Sequence, residues 1–229
     1  MRRIGLLGGM SWESSALYYR LINEGVRDRL GGLHSADLVL ISVDFAEVER
    51  LQSEGEWEQA ASLLAAEATR LERAGAECIV VCTNTMHKVA DQVQQAVRVP
   101  LIHIGDVTAR AVVAAGVGTV ALLGTRFTMR ESFYTERLEA QGLQVLVPPP
   151  DVQAELDGII YSELVRGVVT EPSREAYRHA MADLVRDGAT GVILGCTEIE
   201  LLVRPEDSPV PTFPTTALHA RAAVGFALA

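Results

Sequence analysis

Residues 4–12 read IGLLGGMSW, an apolar run that ends in two glycines and is followed by a methionine, a serine and a tryptophan. Such a run, bounded by turn residues and followed by apolar residues at helical spacing, indicates a buried strand that leads into a helix. Ser11 is predicted to cap that helix, which continues through Tyr18 and Leu21. The stretch lacks the glycine spacing of dinucleotide sites and of phosphate-binding loops, so it does not favour nucleotide binding.

The same pattern continues along the chain, where short apolar runs alternate with segments of helical period. Repeated βα units predict an α/β fold whose sheets are mainly parallel and flanked by helices. Ala-Gly-Ala at 74–76 and Asp-Gly-Ala at 187–189 are predicted helix ends. We expect strands at residues 3–8, 37–43, 77–82, 100–104, 119–123, 143–147, 191–195 and 211–213.

The second half of the chain repeats the first. IGLLGG at 4–9 corresponds to VALLGT at 120–125, and VCTN at 81–84 corresponds to GCTE at 195–198. The offsets are 124 − 8 = 116 for the glycines and 196 − 82 = 114 for the cysteines, which differ only by a small insertion. The repeat therefore predicts two pseudosymmetric α/β lobes.

These lobes are predicted to be residues 1–104 plus 215–229, which carry Cys82, and residues 105–214, which carry Cys196. Ligands of open α/β sheets bind beyond the carboxyl ends of the strands. We therefore expect both Cys-Thr turns to face one active-site cleft between the lobes.

Each Cys-Thr turn follows a buried strand and precedes what is predicted to be a helix. Backbone N–H groups at a helix start stabilise a thiolate and lower the pKa of a thiol below its usual value of about 8.5. The same groups, together with the side chains of Thr83 and Asn84, can hold a carboxylate. A lone cysteine at a strand end is more often a small buried apolar residue. The repetition of the motif at matched positions favours function, whereas Cys78, which has no counterpart, is assigned to the core.

The composition excludes several classes of protein. The chain has 229 residues and a formal net charge of −10, which argues against nucleic acid as a partner. No apolar run approaches the roughly 20 residues that span a bilayer, and no signal peptide is evident, so we expect a cytoplasmic protein without membrane partners. The three cysteines are interpreted as free thiols.

No cofactor is expected. A pyridoxal phosphate enzyme needs a lysine for its Schiff base, and Lys88 is the one lysine in the chain. The cysteines and histidines show no metal-ligand spacing. His87 lies within one helical turn of Cys82, so a positioning role is left open. The other four histidines are interpreted as structural.

Five stretches together carry a resemblance to a known family: IGLLGGMSWES (4–14), SVDF (42–45), VCTNTMHK (81–88), ALLGTRFTM (121–129) and GCTEIELL (195–202). The chain resembles the aspartate/glutamate racemase superfamily, in particular its aspartate racemase-like and broad-specificity amino-acid racemase branch. The resemblance extends over essentially the whole chain. It implies two pseudosymmetric α/β lobes with the active site between them, and racemisation of amino acids without pyridoxal phosphate.

The resemblance also implies residue roles. Cys82 and Cys196 map onto the catalytic acid-base pair. Glutamate racemases proper read Cys-Thr-His at the second motif, where this chain reads Cys-Thr-Glu. Glu198, which stands in the place of that histidine, is interpreted either as a ligand of the substrate ammonium group or as a carboxylate at a helix start. The positions expected around the substrate are Met10, Ser11, Gln52, Thr83, Asn84, Thr85, Thr125, Thr197 and Glu198.

The predicted reaction is a 1,1-proton transfer on a small-molecule amino acid, with one thiol removing the α-proton and the other returning one to the opposite face. Enzymes that share the scaffold, namely a hydantoin racemase, maleate isomerase or arylmalonate decarboxylase, are the nearest alternatives, and a non-catalytic amino-acid-binding protein is the alternative from another class. The two Cys-Thr motifs favour racemisation. Aspartate, glutamate or a broad range of substrates is expected. Strict specificity for acidic amino acids is not favoured, because acidic residues outnumber the one arginine in the stretch 44–50, although Arg50, Arg126 or Arg130 could supply a fork for a second carboxylate. A homodimer is left open.

Overall fold

All 229 residues are described in a computed structural model of the chain. The chain forms two compact units, of which the first consists of Met1–Ile104 and His219–Ala229 and the second of Gly105–Leu218. Each unit contains one parallel sheet with helices packed against it. No helix combines the length and the apolar character that crossing a bilayer requires. The predicted α/β class with parallel sheets is confirmed.

The first unit has a three-stranded sheet with the order β2 (Leu38–Ser42), β1 (Ile4–Gly8) and β3 (Cys78–Val81). Both strand pairs are parallel, and Ile4 of the central strand pairs with Leu38 on one side and Cys78 on the other. A 3-10 turn at Thr85–Val89 follows the third strand. The other elements are β1 (Ile4–Gly8), α1 (Trp12–Leu30), β2 (Leu38–Ser42), α2 (Phe45–Ser53), α3 (Trp57–Arg73), β3 (Cys78–Val81) and α4 (Ala90–Gln95).

The second unit has a four-stranded parallel sheet with the order β5 (Gln144–Leu146), β4 (Thr119–Gly124), β6 (Gly191–Gly195) and β7 (Thr212–Pro214). Two helices, α5 (Ile104–Ala114) and α11 (Thr215–Leu228), have residues in both units. Short 3-10 turns lie at Leu164–Arg166 and Pro205–Asp207. The elements are α5 (Ile104–Ala114), β4 (Thr119–Gly124), α6 (Arg126–Arg130), α7 (Ser132–Glu139), β5 (Gln144–Leu146), α8 (Pro150–Ser162), α9 (Glu171–Arg186), β6 (Gly191–Gly195), α10 (Ile199–Leu202), β7 (Thr212–Pro214) and α11 (Thr215–Leu228).

The two predicted helix ends are confirmed. Helix α3 ends at Arg73 and α9 ends at Arg186. Gly75 and Gly188 follow with φ values of +90° and +111°, a conformation that glycine adopts without steric cost. These glycines turn the chain out of each helix toward the next strand.

The strand predicted at 100–104 is wrong. Leu101 forms a single parallel bridge with Ile79, and helix α5 already begins at Ile104. Pro100 has no N–H to donate, so the segment makes only two ladder hydrogen bonds, to the N–H and the carbonyl of Ile79. The apolar run at this place is therefore a short link that leads into a helix.

The division of the chain near its end also differs by four residues from the sequence-based one. Residues 215–218 belong to the second unit, because two contacts hold the start of α11 there. The hydroxyl of Thr215 donates to the carbonyl of Leu194 at 2.8 Å, and the N–H of Thr216 donates to the Glu200 carboxylate at 2.8 Å.

The two faces of the first sheet bury different sets of side chains, because successive residues of a strand point to opposite faces. Ile79 and Val81 pack into the cluster that includes residues of α2, α3 and α4. Cys78, Val80 and Cys82 pack into the cluster that includes residues of α1 and α11. The side chain of Cys82 therefore belongs to an apolar core.

Candidate active site

The glycine-rich turn of the first unit joins β1 to α1. Gly9 has a φ of +93°, and its N–H donates to the Ser15 hydroxyl at 2.8 Å. The Ser11 side chain accepts from the N–H of Ser14 at 3.3 Å and caps α1, as the sequence predicts. Met10 and Ser11 are both buried, so the turn is a packed part of the unit.

The turn after β3 carries the predicted residues Cys82, Thr83, Asn84 and Thr85, all of which are buried. The N–H of Cys82 continues the sheet by donating to the carbonyl of Leu7 at 2.9 Å. Its thiol donates to the carbonyl of Val80 at 3.7 Å. Burial raises the pKa of this thiol above its ordinary value.

The turn after β6 carries Cys196, Thr197 and Glu198. The Cys196 thiol donates to Oε2 of Glu198 at 3.0 Å, and the Thr197 hydroxyl donates to the same oxygen at 2.7 Å. Burial, followed by the negative charge of Glu198, raises the pKa of the Cys196 thiol well above its ordinary value. The three polar side chains therefore form one hydrogen-bonded group.

The predicted lowering of both thiol pKa values is wrong for this structure. The element after Cys82 is a 3-10 turn, and α10 after Cys196 has four residues, so neither provides the aligned peptides of a long helix. Desolvation is the largest cause at both thiols, and a buried thiolate is unfavourable without a cation beside it.

The sheet register gives an independent alignment of the two units. Leu7 of β1 pairs with Val81 of β3, and Leu123 of β4 pairs with Leu194 of β6. Leu7 and Leu123 occupy the same place in the sequence repeat. Val81 is therefore the counterpart of Leu194.

Counting onward from that pair makes Thr83 the counterpart of Cys196, and Cys82 the counterpart of Gly195. The register thus differs by one residue from the alignment of the two Cys-Thr motifs by their letters, in which each cysteine directly follows the last residue of its strand. The packing agrees with the register, since Cys196 belongs to the cluster that contains Leu194, whereas Cys82 lies on the sheet face opposite that of Val81.

Two further predicted residues lie next to these turns. Gln52 of α2 is buried and donates through Nε2 to the sulfur of Met86 at 2.9 Å, in the 3-10 turn that follows Asn84. Thr125 follows Gly124, the register partner of Gly195, and caps α6 by accepting from the N–H of Thr128 at 3.4 Å. Each unit thus places its own subset of the predicted residues around the ends of two neighbouring strands, β1 and β3 in the first unit and β4 and β6 in the second.

Sequence reasoning missed two features of these turns. Three buried histidines pack together in the first unit, with ring centroids 4.6 Å apart for His87 and His103 and 5.7 Å apart for His87 and His219. The sequence places His87 near the turn, but no pattern in it brings His103 and His219 beside that residue. The second feature is Glu200, whose pKa burial raises from 4.5 to about 7, and no pattern in the sequence indicated it.

Comparison with known proteins gives a consistent family. The model of Asp/Glu/Hydantoin racemases matches residues 7–223. The broad specificity amino-acid racemase RacX of Bacillus subtilis (strain 168) is 25% identical over 166 residues, which are 71% of this chain and 70% of RacX.

Solved structures extend the likeness to the whole chain. A candidate Asp/Glu racemase from Yersinia pestis is 51% identical with a TM-score of 0.93, and the comparison covers 100% of both chains. PH1733, an aspartate racemase homologue from Pyrococcus horikoshii OT3, is 36% identical with a TM-score of 0.87, again over 100% of both chains. Because the family model spans most of the sequence and these relatives match it from end to end, the chain belongs to the Asp/Glu/Hydantoin racemase family.

Proposed function

We propose that this chain interconverts the L- and D-forms of an amino acid by a 1,1-proton transfer that uses no cofactor. The observation that carries the proposal is the contact between Cys196 and Glu198, which gives a strand-end thiol an adjacent proton acceptor. Membership of the racemase family and the likeness to RacX, an amino-acid racemase, support it.

The chemical problem is the weak acidity of a hydrogen beside a carboxylate that is already negative. Hydrogen-bond donors held in place around that carboxylate stabilise the charge that builds up on it, each by about 2.7–4 kcal/mol. Thr83 and Asn84 are buried polar side chains at a strand end, where we propose that they supply such donors, whereas the Thr197 hydroxyl already donates to Glu198.

We propose Cys196 as one of the two proton carriers. As a thiolate, with its own proton passed to Glu198 or to solvent, it takes the α-proton and becomes a thiol. In the reverse direction the thiol gives its proton to the substrate carbon. A second carrier must act on the opposite face, because a single group that returns its proton restores the starting enantiomer.

The second carrier belongs to the turn after β3. The sequence assigns this role to Cys82, and that assignment stays a proposal. Its neighbour Thr83 is the counterpart of Cys196 by register, but a threonine hydroxyl barely ionises, so we propose Thr83 only as a hydrogen-bond donor to the substrate carboxylate. Variants of the two residues, described in the Discussion, test these separate roles.

We expect a substrate range that includes neutral side chains. Two of the arginines that could hold a second carboxylate are already engaged: Arg50 pairs with Glu54, and Arg130 donates to Gln153 at 2.8 Å. The broad specificity in the name of RacX is consistent with this range.

The test is proton NMR in D2O with separate L- and D-forms of aspartate, glutamate, homoserine and methionine, after dialysis of the enzyme against EDTA. We expect the α-proton signal to decay and both enantiomers to appear in chiral chromatography, with no absorbance from bound pyridoxal. A 5-substituted hydantoin in parallel tests the related hydantoin activity. Binding of amino acids with neither exchange nor inversion would instead indicate the binding protein, and activity restored only by a metal or pyridoxal phosphate would contradict the cofactor-independent mechanism.

A further inference from the structure

We propose that His87 is a positioning residue that fixes the turn after β3 by holding the carbonyl of Thr83. The inference rests on the proposed function, since this turn carries Cys82, Thr83 and Asn84. It concerns how the turn is held, and it adds no further group to the proton transfer itself.

The imidazole of His87 bridges two backbone groups. Its Nδ1 lies 2.8 Å from the carbonyl oxygen of Thr83, and its Nε2 lies 3.2 Å from the N–H of Ile104. The residue is 3% exposed, so both contacts are shielded from water. One side chain therefore ties the strand-end turn to the first residue of α5.

These partners determine the tautomer. The backbone N–H of Ile104 can only donate, so Nε2 must accept and carries no proton. Nδ1 then carries the proton and donates it to the carbonyl of Thr83. The ring is neutral in this arrangement, because a second proton on Nε2 would oppose the N–H of Ile104.

Holding this carbonyl fixes a whole peptide plane. In a trans peptide the N–H points opposite to the C=O, and both lie in one plane with the flanking Cα atoms. With the Thr83 carbonyl directed at His87, the N–H of Asn84 is directed the opposite way. The contact thus sets the orientation of a backbone donor between Thr83 and Asn84, two of the residues that we propose to act on the substrate.

The surrounding rings supply a matched structural control. His219 packs edge-on against His87, and it makes its own hydrogen bonds to the Tyr18 hydroxyl at 2.8 Å and to the carbonyl of Ile102 at 2.6 Å. Tyr18 and His219 are fully buried in the same unit, and the bond between them does not involve the Thr83 carbonyl. Removing the Tyr18 hydroxyl should therefore perturb the cluster without releasing that carbonyl.

The tautomer is tested without any assay of activity. Nitrogen-15 NMR of the histidine side chains, assigned with His87→Asn, should show a protonated Nδ1 and an unprotonated Nε2 at neutral pH. In His87→Leu the amide signal of Asn84 should shift, and in Tyr18→Phe it should stay near its wild-type position. A proton on Nε2 of His87 would overturn the proposal.

Kinetics test the consequence for the turn. An asparagine amide N–H occupies nearly the place of Nδ1–H and can reach the same carbonyl, whereas leucine cannot. We expect His87→Leu to lower kcat about 100-fold with a smaller change in KM, and His87→Asn to recover most of the loss. Tyr18→Phe should lower Tm while kcat per folded molecule stays within a few-fold of wild type.

The proposal is overturned if His87→Asn is as slow as His87→Leu, or if Tyr18→Phe lowers kcat as much as His87→Leu does. If the wild-type enzyme inverts no amino acid, the proposed function fails. The NMR measurements still decide in that case whether His87 holds the Thr83 carbonyl, so the two failures are distinguishable.

Discussion

The thiol of Cys196 donates a hydrogen bond of 3.0 Å to a carboxylate oxygen of Glu198, the residue that lies two positions further along the chain. The Thr197 hydroxyl donates to the same oxygen, so Oε2 receives both groups. Because burial makes an isolated thiolate costly here, a carboxylate in direct contact provides a place for the thiol proton when the sulfur acts as a base. The contact favours this role for Glu198 over binding of a substrate ammonium group.

Glu198→Gln tests this role. The amide has nearly the same shape and still accepts a hydrogen bond from the thiol, but it cannot take up a proton at neutral pH. We expect kcat to fall by about 10²–10⁴, the usual contribution of a positioned acid or base, with a small change in Tm. The rate is measured by the change in optical rotation with either enantiomer as substrate.

Glu206→Gln is the matched control, since Glu206 is exposed and lies in the 3-10 turn beyond α10. This variant should keep wild-type activity. If Glu198→Gln were as active as Glu206→Gln, the carboxylate would not be the proton acceptor of Cys196.

Glu200→Gln should change the pH dependence of stability. Burial raises the pKa of Glu200 from 4.5 to about 7, so the folded state binds a proton more tightly than the unfolded state does between these pH values. The stability that this group contributes is fully present below pH 4.5 and is lost as the pH rises through 7. Glutamine does not titrate, so the variant should gain stability relative to wild type on going from pH 4.5 to pH 7.5.

The gain is at most about 3 kcal/mol, which corresponds to the difference between the two pKa values. Urea unfolding of both proteins at several pH values measures it. A difference in unfolding free energy that stays constant between pH 4.5 and 7.5 would show that Glu200 titrates alike in both states.

Gly9→Ala should destabilise the first unit strongly. A Cβ at this position would lie 2.2 Å from the carbonyl oxygen of Val43, and the φ of +93° already disfavours any L-residue. Strain of about 1–2 kcal/mol and overpacking of about 1–3 kcal/mol together predict a loss of about 2–5 kcal/mol. Gly55→Ala is the matched control, because Gly55 has a φ of +75° and open space where its Cβ would lie, so only the strain should remain. Equal losses in the two variants, measured by denaturant unfolding, would contradict the close contact at Gly9.

The strands and the ends of the helices could be predicted because their signals are local. The apolar run at 4–8 predicts a strand from its own residues, and the glycines at 75 and 188 predict the ends of the helices directly before them. The structure confirms this strand and these two helix ends. Pro100 shows where this fails, since an apolar run beside a proline makes too few ladder bonds to be a strand.

The candidate site was harder to predict because its details depend on register. The letters Cys-Thr occur at both strand ends, and matching them pairs Cys82 with Cys196. The pairing of Leu7 with Val81, and of Leu123 with Leu194, moves that match by one residue. A shift of one residue exchanges the two faces of a strand, and no local pattern in the sequence reports it.

Three variants decide which groups carry the proton. Cys196→Ser replaces a thiol by a hydroxyl that barely ionises, so racemisation should fall by about 10²–10⁴. Cys82→Ala removes the thiol that we propose as the second carrier, so it should cause a comparable loss. Thr83→Ala removes a proposed hydrogen-bond donor to the substrate carboxylate but no proton carrier, so it should slow the exchange of both enantiomers alike.

Cys78→Ala is the matched control, since Cys78 packs into the same cluster as Cys82 and lies at the start of β3, away from the turn. The exchange of the α-proton in D2O gives a second readout. A variant that lacks one carrier can still remove a proton with the other and return deuterium to the same face, so Cys196→Ser and Cys82→Ala should each label one enantiomer, and opposite ones. If Cys82→Ala racemises at the wild-type rate while Thr83→Ala shows this one-sided labelling, Cys82 is not the carrier. If Cys196→Ser racemises at the wild-type rate, the proposed role of the Cys196 thiol is wrong.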